Sequence, residues 1–202
     1  EAEIGNARSL TRFIKRIVSK VEEKDVREII EKIEKIEGIE YDEDQINAII
    51  NCLNSGISII TGGPGTGKTT IVKALVKIYQ ELLESNDIYL CAPTGRASKR
   101  LSELTGVDAT TIHRLLKWDL HSNTFSINAA NPLLGDLLII DEFSMVDNLL
   151  FYNLMSATSN FSQIVLIGDD DQLPSVGPGN VLKDLLDSGL VNTIKLTKIY
   201  RQ

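Results

Sequence analysis

The first third of the chain is written in helical stripes. Leu10, Phe13, Ile14, Ile17, Val18 and Val21 recur on one face at a spacing near 3.6 residues. A second stripe, Val26, Ile29, Ile30, Ile33 and Ile36, follows Asp25, which with Glu28 three residues on has the form of a capping box, and Gly38 supplies a stop. The pattern predicts two helices over residues 1–40 packed as a short antiparallel hairpin. Their Lys and Glu residues read as a solvated outer face; a module that binds a partner or DNA is the alternative. A third helix is predicted over about 43–53, ending near Gly56.

The pattern then changes to short β-branched runs alternating with longer amphipathic segments. Strands are predicted at 57–61, 88–92, 137–141, 164–168 and 193–196, and helices at 68–84, 96–104, 111–117, 148–157 and 180–186. The run Leu137-Leu138-Ile139-Ile140 has no polar alternation, as expected of a parallel strand covered on both faces. The fold class is therefore α/β, a central parallel sheet in a doubly wound domain. Residues 118–135 break the alternation. Trp118-Asp119-Leu120 and Thr124-Phe125-Ser126-Ile127 flank His121-Ser122-Asn123, which predicts a small inserted β-hairpin over about 118–130.

Composition narrows this picture only at its edges. At 202 residues the chain has room for one sizeable domain and a small appendage. No apolar run approaches the roughly 18 residues of a membrane span, and no secretory signal pattern is present. Cys52 and Cys91 lie far apart in apolar surroundings, which predicts buried thiols in a reducing cytoplasm. The net charge of -7 excludes coating of nucleic acid by overall charge and leaves room for a local basic track. The chain starts at Glu1 and stops at Tyr200-Arg201-Gln202, which suggests part of something longer.

The strongest chemical signal follows the first strand. Gly62-Gly63-Pro64-Gly65-Thr66-Gly67-Lys68-Thr69 fits G-x-x-x-x-G-K-[ST], with Thr70 continuing into a helix. Glycines let the backbone curl until several N–H groups face inward and make an anion nest. The next helix aims its positive end at the same point. Lys68 adds a charge for the terminal phosphates of ATP, and the Thr69 hydroxyl suits Mg²⁺. A glycine-rich turn that binds nothing is the bland alternative.

Asp141 and Glu142 end another apolar strand, where a carboxylate faces the ligand crevice. Asp141 suits Mg²⁺, and Glu142 suits activation of a water. Gly168-Asp169-Asp170-Asp171-Gln172 ends a third such strand, and Gln172 suits a sensor of the γ-phosphate; an acidic surface loop or a carboxylate metal site is the alternative. Arg201 offers a rigid fork for phosphate oxygens, or a solvated end. Pro93, Thr94 and Arg96, with Lys99 and Arg100, combine hydroxyls, a helix start and cations, the usual phosphodiester-contacting set. Thr111 and His113 form a second such cluster beside Arg114. Two ordinary helix starts account for them equally well. Gln45 stands three residues after Asp42, itself a capping-box pattern.

Taken in order, these blocks resemble superfamily 1 helicases. The wording of Asp141-Glu142-Phe143-Ser144-Met145, of Gln172-Leu173-Pro174-Ser175-Val176-Gly177-Pro178-Gly179 and of Ile199-Tyr200-Arg201-Gln202 is similar to the RecD branch, the exodeoxyribonuclease V alpha-subunit family. The resemblance covers about residues 41–202. It implies a RecA-like first motor domain of an ATP-dependent 5′→3′ motor on single-stranded DNA, active in recombination and repair. It assigns Gln45 to the adenine base, Lys68 and Thr69 to phosphate and Mg²⁺, Asp141 and Glu142 to metal and water, and Gln172 and Arg201 to the γ-phosphate. Pro93, Thr94, Arg96, Thr111 and His113 map onto single-strand contacts. The insert lies where relatives carry a strand-separating pin, so Trp118 or Phe125 either stacks on a base or packs into the core. Phe143 stands where the family has a small residue, and motifs of a second motor domain are missing from the chain. Two rivals remain: an ATP-binding regulatory subunit that does not translocate, and an unrelated phosphate-loop enzyme such as a kinase.

Overall fold

The apolar runs assemble as a six-stranded sheet in which every neighbouring pair is parallel. The computed structural model describes residues 1–16, 18, 21–169, 171 and 177–200. In chain order the elements are α1 (Ala2–Ile14), α2 (Glu23–Glu37), α3 (Glu43–Leu53), β1 (Ile57–Gly62), α4 (Lys68–Glu81), β2 (Ile88–Ala92), α5 (Gly95–Thr105), β3 (Ala109–Thr111) and α6 (Ile112–Leu115). There follow β4 (Trp118–Asp119), β5 (Thr124–Phe125), β6 (Leu137–Ile140), a 3-10 turn (Phe143–Met145), α7 (Asn148–Ala157), β7 (Gln163–Gly168), α8 (Val181–Ser188) and β8 (Asn192–Leu196). The sheet order is β3-β2-β6-β7-β1-β8. The neighbours β7 and β1 send their connections in opposite directions, to β8 and to β2, the kind of switch point where open α/β sheets bind ligands at the carboxyl ends of their strands.

Two cores explain the unalternating strands. Leu137 and Ile139 join the core under α2, α3, α4 and α5, while Leu138 and Ile140 join the core under α1, α6, α7 and α8. Cys52 lies in the first and Cys91 in the second, both buried, and burial pushes the Cys52 thiol up to about 12. Among the described residues no helix is long and apolar enough to cross a membrane.

The hairpin expected of α1 and α2 is not what forms. Phe13 of α1 is wholly buried with the core that holds α7, whereas Val26, Ile29, Ile30 and Ile33 of α2 join the core that holds α3 and α4. The helices thus cover opposite faces of the sheet. α2 also starts earlier than expected, with Glu22 at its N-cap and Asp25 inside its first turn. Because Phe13 belongs to the main core, Phe13→Ala should lower unfolding free energy by roughly 3–5 kcal/mol in a denaturant titration. A loss within about 0.5 kcal/mol, as for a surface site, would contradict this placement.

One smaller expectation also shifts. The helix expected at 111–117 shortens to α6, because Ala109, Thr110 and Thr111 pair with Leu90, Cys91 and Ala92 as an edge strand. The inserted hairpin forms as expected, with Trp118 opposite Phe125 and Asp119 opposite Thr124.

Candidate nucleotide and nucleic-acid site

β1 is buried along its whole length and delivers the chain to a loop whose crest, Pro64 and Gly65, is exposed. Gly65 and Gly67 have φ of +77° and +83°, a region that side chains with a Cβ rarely occupy. Gly67 is doubly constrained, since a Cβ there would lie 2.6 Å from Gln45 Nε2. The loop is braced from within. The Thr66 hydroxyl donates to the Gly63 carbonyl at 2.7 Å, and Lys68 Nζ donates to the carbonyls of Gly62 and of Gly63, the latter at 3.1 Å.

The start of α4 differs from the other helices after residue 41. Asp42, Thr94, Thr111, Asp147 and Asn180 each accept a backbone N–H at the head of α3, α5, α6, α7 and α8. At the head of α4 stands Gly67, which has no side chain to do this. Its first amides and helix dipole are thus directed at the loop's concavity, where an anion would satisfy them.

β6 brings Asp141 and Glu142 to the same edge, with β7 lying between β6 and β1. The Asp141 amide donates to the Cys91 carbonyl at 2.9 Å, and its Oδ1 accepts the Glu142 amide at 2.8 Å. Burial pushes the Asp141 carboxyl above the ordinary carboxylate range; the Glu142 amide and the charges of Lys68 and Arg100 partly offset it. Glu142 turns the chain with φ +50°, unusual for a residue with a side chain. Phe143 then enters the core against Phe151, ring centroids 5.2 Å apart. The family's small residue is thus replaced by a ring that points away from the crevice. After β7, Asp169 is buried and its Oδ1 accepts the Asp171 amide at 3.0 Å. Gln172 and Arg201 lie outside the described residues.

Gln45 forms the cap that the sequence offered. Its Oε1 accepts the Asp42 backbone N–H at 3.1 Å and its backbone N–H donates to Asp42 Oδ1 at 2.9 Å, a complete capping box. The same side chain, 2% exposed, presents Nε2 to Gly67. The contacts at this corner escaped the sequence reading. The Tyr41 hydroxyl donates to the Thr70 carbonyl at 3.0 Å, the Tyr200 amide donates to the Gly65 carbonyl at 2.8 Å, and Asp42 accepts from Tyr200 and Lys198. A cleft of about 370 Å³ opens beside the loop, lined by Asp44, Asn47, Thr66, Leu196 and Tyr200 among others.

At the other end of the same edge, the register that pairs Ala92 with Thr111 sets Pro93, Thr94 and Arg96 beside Thr111 and His113. Thr94 and Thr111 use their hydroxyls as caps, accepting from Ala97 at 3.3 Å and from Arg114 at 3.2 Å. Arg96, Lys99, Arg100, His113 and Arg114 are exposed. The Trp118 and Phe125 rings pack on each other at 4.6 Å between centroids, and His113 lies against both, at 5.9 and 5.6 Å. Both rings are half-buried in this cluster, which favours packing over a free stacking platform.

A family model described as an AAA domain matches residues 45–178, from Gln45 through the phosphate loop and the acid pair. This chain belongs to the AAA domain family. This AAA domain is RecD-like in sequence. It is 41% identical to the ATP-dependent RecD2 DNA helicase of Deinococcus radiodurans, over 79% of this chain and 22% of that protein. It is 40% identical to the RecBCD enzyme subunit RecD of Mycolicibacterium smegmatis, over 72% of this chain and 30% of that protein. The chain thus spans less than a third of the length of these curated relatives. Among solved structures, the Pif1 helicase from Candida albicans aligns with a TM-score of 0.59 at 25% identity, over 81% of this chain and 41% of that one. Bacteroides Pif1 bound to ssDNA aligns with a TM-score of 0.55 at 25% identity, over 81% of this chain and 43% of that one. The RecA-like α/β fold expected from the sequence is the one these helicases share.

Proposed function

We propose that this domain binds and hydrolyses ATP as the first motor domain of a cytoplasmic 5′→3′ DNA helicase. Residues 41–202 carry the motor, and a second motor domain of the same protein completes the ATP and DNA sites. Single-stranded DNA is the track, and other recombination and repair subunits are further partners. The observation that carries the reading is the uncapped head of α4 behind the glycine-shaped loop, with Lys68 close enough to Asp141 for their charges to interact.

In this reading the backbone amides of Gly63 and of Gly65 to Thr70, with the Lys68 ammonium, hold the phosphates, and Pro64, which has no N–H, shapes the turn between them. The 370 Å³ cleft beside the loop is of a size to take a nucleoside; Gln45 is assigned to the adenine base on the sequence resemblance. Thr69 and Asp141 provide a hydroxyl and a carboxylate, the hard oxygen donors that suit Mg²⁺. When bound, the ion neutralises charge on the β- and γ-phosphates. Glu142 accepts the proton of the water that attacks the γ-phosphorus as the bond to the β,γ-bridging oxygen breaks. Gln172 and Arg201 are assigned to the γ-phosphate on sequence alone. Pro93, Thr94, Arg96, Thr111 and His113 are assigned to the DNA backbone, with the exposed cations nearby supplying the attraction.

The test is ATP turnover by the intact protein with and without single-stranded DNA. Turnover should rise on adding DNA, and DNA affinity should fall linearly in log–log form with salt, by about 0.7 of a unit per phosphate contacted. Turnover indifferent to DNA favours the regulatory subunit instead, and salt-independent affinity removes the basic track.

A further inference from the structure

Asp42 does more than start α3. Its two oxygens are divided between two different segments. Oδ1 accepts the Gln45 amide and completes the capping box. Oδ2 accepts from the Tyr200 hydroxyl and, at 3.1 Å, from Lys198 Nζ. Both donors lie on the strap formed by residues 196–200, which runs from the end of β8 across the phosphate loop. The strap is fastened to that loop by its backbone as well, through the Tyr200 amide on the Gly65 carbonyl at 2.8 Å. The result converges on one glycine. A Cβ on Gly67 would lie 2.6 Å from Gln45 Nε2 and 3.3 Å from the Tyr200 ring. Next to Asp42 in the chain, Tyr41 ties the same corner to the first turn of α4 through the Thr70 carbonyl.

A residue needed only as a helix cap would use one oxygen. Here the second oxygen takes two donors from a segment more than 150 residues away in the chain, one of them charged. Burial works against the Asp42 charge, but the bonds from Tyr200, from the Gln45 amide and from Lys198 outweigh it and hold the carboxyl below its ordinary range. The carboxylate is therefore ionised throughout neutral pH, and the clasp is lost only as pH falls below that range.

We propose that Asp42 is a positioning residue of the nucleotide site, clasping the strap to the phosphate loop so that Gln45 and Tyr200 are held together over Gly67. The proposal rests on the nucleotide-site reading above. Asp42 acts through its two partners and touches no reacting atom.

The experiment is an equilibrium titration of the intact protein with a fluorescent ADP, comparing wild type, Asp42→Asn, Tyr200→Phe and the double variant, with a melting curve for each nucleotide-free protein. Asn caps helices about as well as Asp, so Asp42→Asn keeps the cap and the fold while removing the charge at Oδ2. Loss of a charge-assisted hydrogen bond should weaken ADP binding by about tenfold in each single variant. The double variant should be no weaker than Asp42→Asn, because both changes break one link. Lys198→Ala, which leaves the cap untouched, should also weaken binding. Unchanged ADP affinity in Asp42→Asn, or factors that multiply in the double variant, would overturn the clasp. So would a lowered melting temperature with intact affinity, which is the signature of a cap alone. Lys68→Ala in the same titration separates the two ideas. If Lys68→Ala loses ADP and Asp42→Asn does not, the clasp fails and the site stands. If wild type binds no ADP, both fail.

Discussion

Lys68→Ala should reduce ATP turnover by at least about 10²–10³-fold in the intact protein while leaving its melting temperature almost unchanged. The side chain bonds the Gly62 and Gly63 carbonyls of its own loop and is half-buried, outside the hydrophobic core. Packing of β1 and α4 relies on Ile57, Ile59, Ile60, Ile71 and Leu75, which the change does not touch. What is lost is the cation aimed at the terminal phosphates, where charge builds as the γ-phosphoryl group transfers. Steady-state phosphate release together with circular dichroism on heating checks both halves. Retained turnover would remove the loop assignment, and a collapsed melting curve would mean that Lys68 supports the fold.

Glu142→Gln should lower turnover by about 10²–10⁴-fold, the usual contribution of a positioned general base, and leave nucleotide affinity within a small factor of wild type. Gln matches Glu in shape, so the left-handed turn at φ +50° and the Glu142 amide bond to Asp141 both survive. Only the ability to accept a proton from water is removed. A single-turnover measurement beside a binding titration separates these effects. Equal loss of binding and turnover would instead assign Glu142 to holding the substrate.

These effects are separable because the sequence makes the site's parts unusually legible. The glycines at 65 and 67 were readable as a phosphate loop because their left-handed φ admits few other residues. Leu137 to Ile140 was readable as a doubly covered parallel strand because all four side chains are apolar, and two of them do face each core. The edge strand β3 was not, since Ala109-Thr110-Thr111 is short and carries no apolar run. The stripes of α1 and α2 say that each helix has a buried face but not which face of the sheet receives it, and hence the expected hairpin gave way to opposite packing.

Single residues show the same boundary. Gln45 offered two readings, a cap and a base contact, and its geometry serves the cap with Oε1 while Nε2 meets the loop. Phe143 departed from the family pattern on paper, yet its ring fills the core beside Phe151 and leaves the crevice alone. Asp42 read as a helix cap, and nothing local could reveal that Tyr200, 158 residues on, would take its other oxygen. Trp118 and Phe125 left stacking and packing open, and their contact with His113 joins the hairpin to the DNA-contact candidates.

The most direct measurement is a crystal structure of the intact protein with a non-hydrolysable ATP analogue and Mg²⁺. The account predicts the triphosphate on the amides at the head of α4, the ion at Thr69 and Asp141, Lys68 swung from its loop carbonyls to the phosphates, and the base beside Gln45. An analogue bound anywhere else, or a loop that stays closed on Lys68 at saturating analogue, would contradict it.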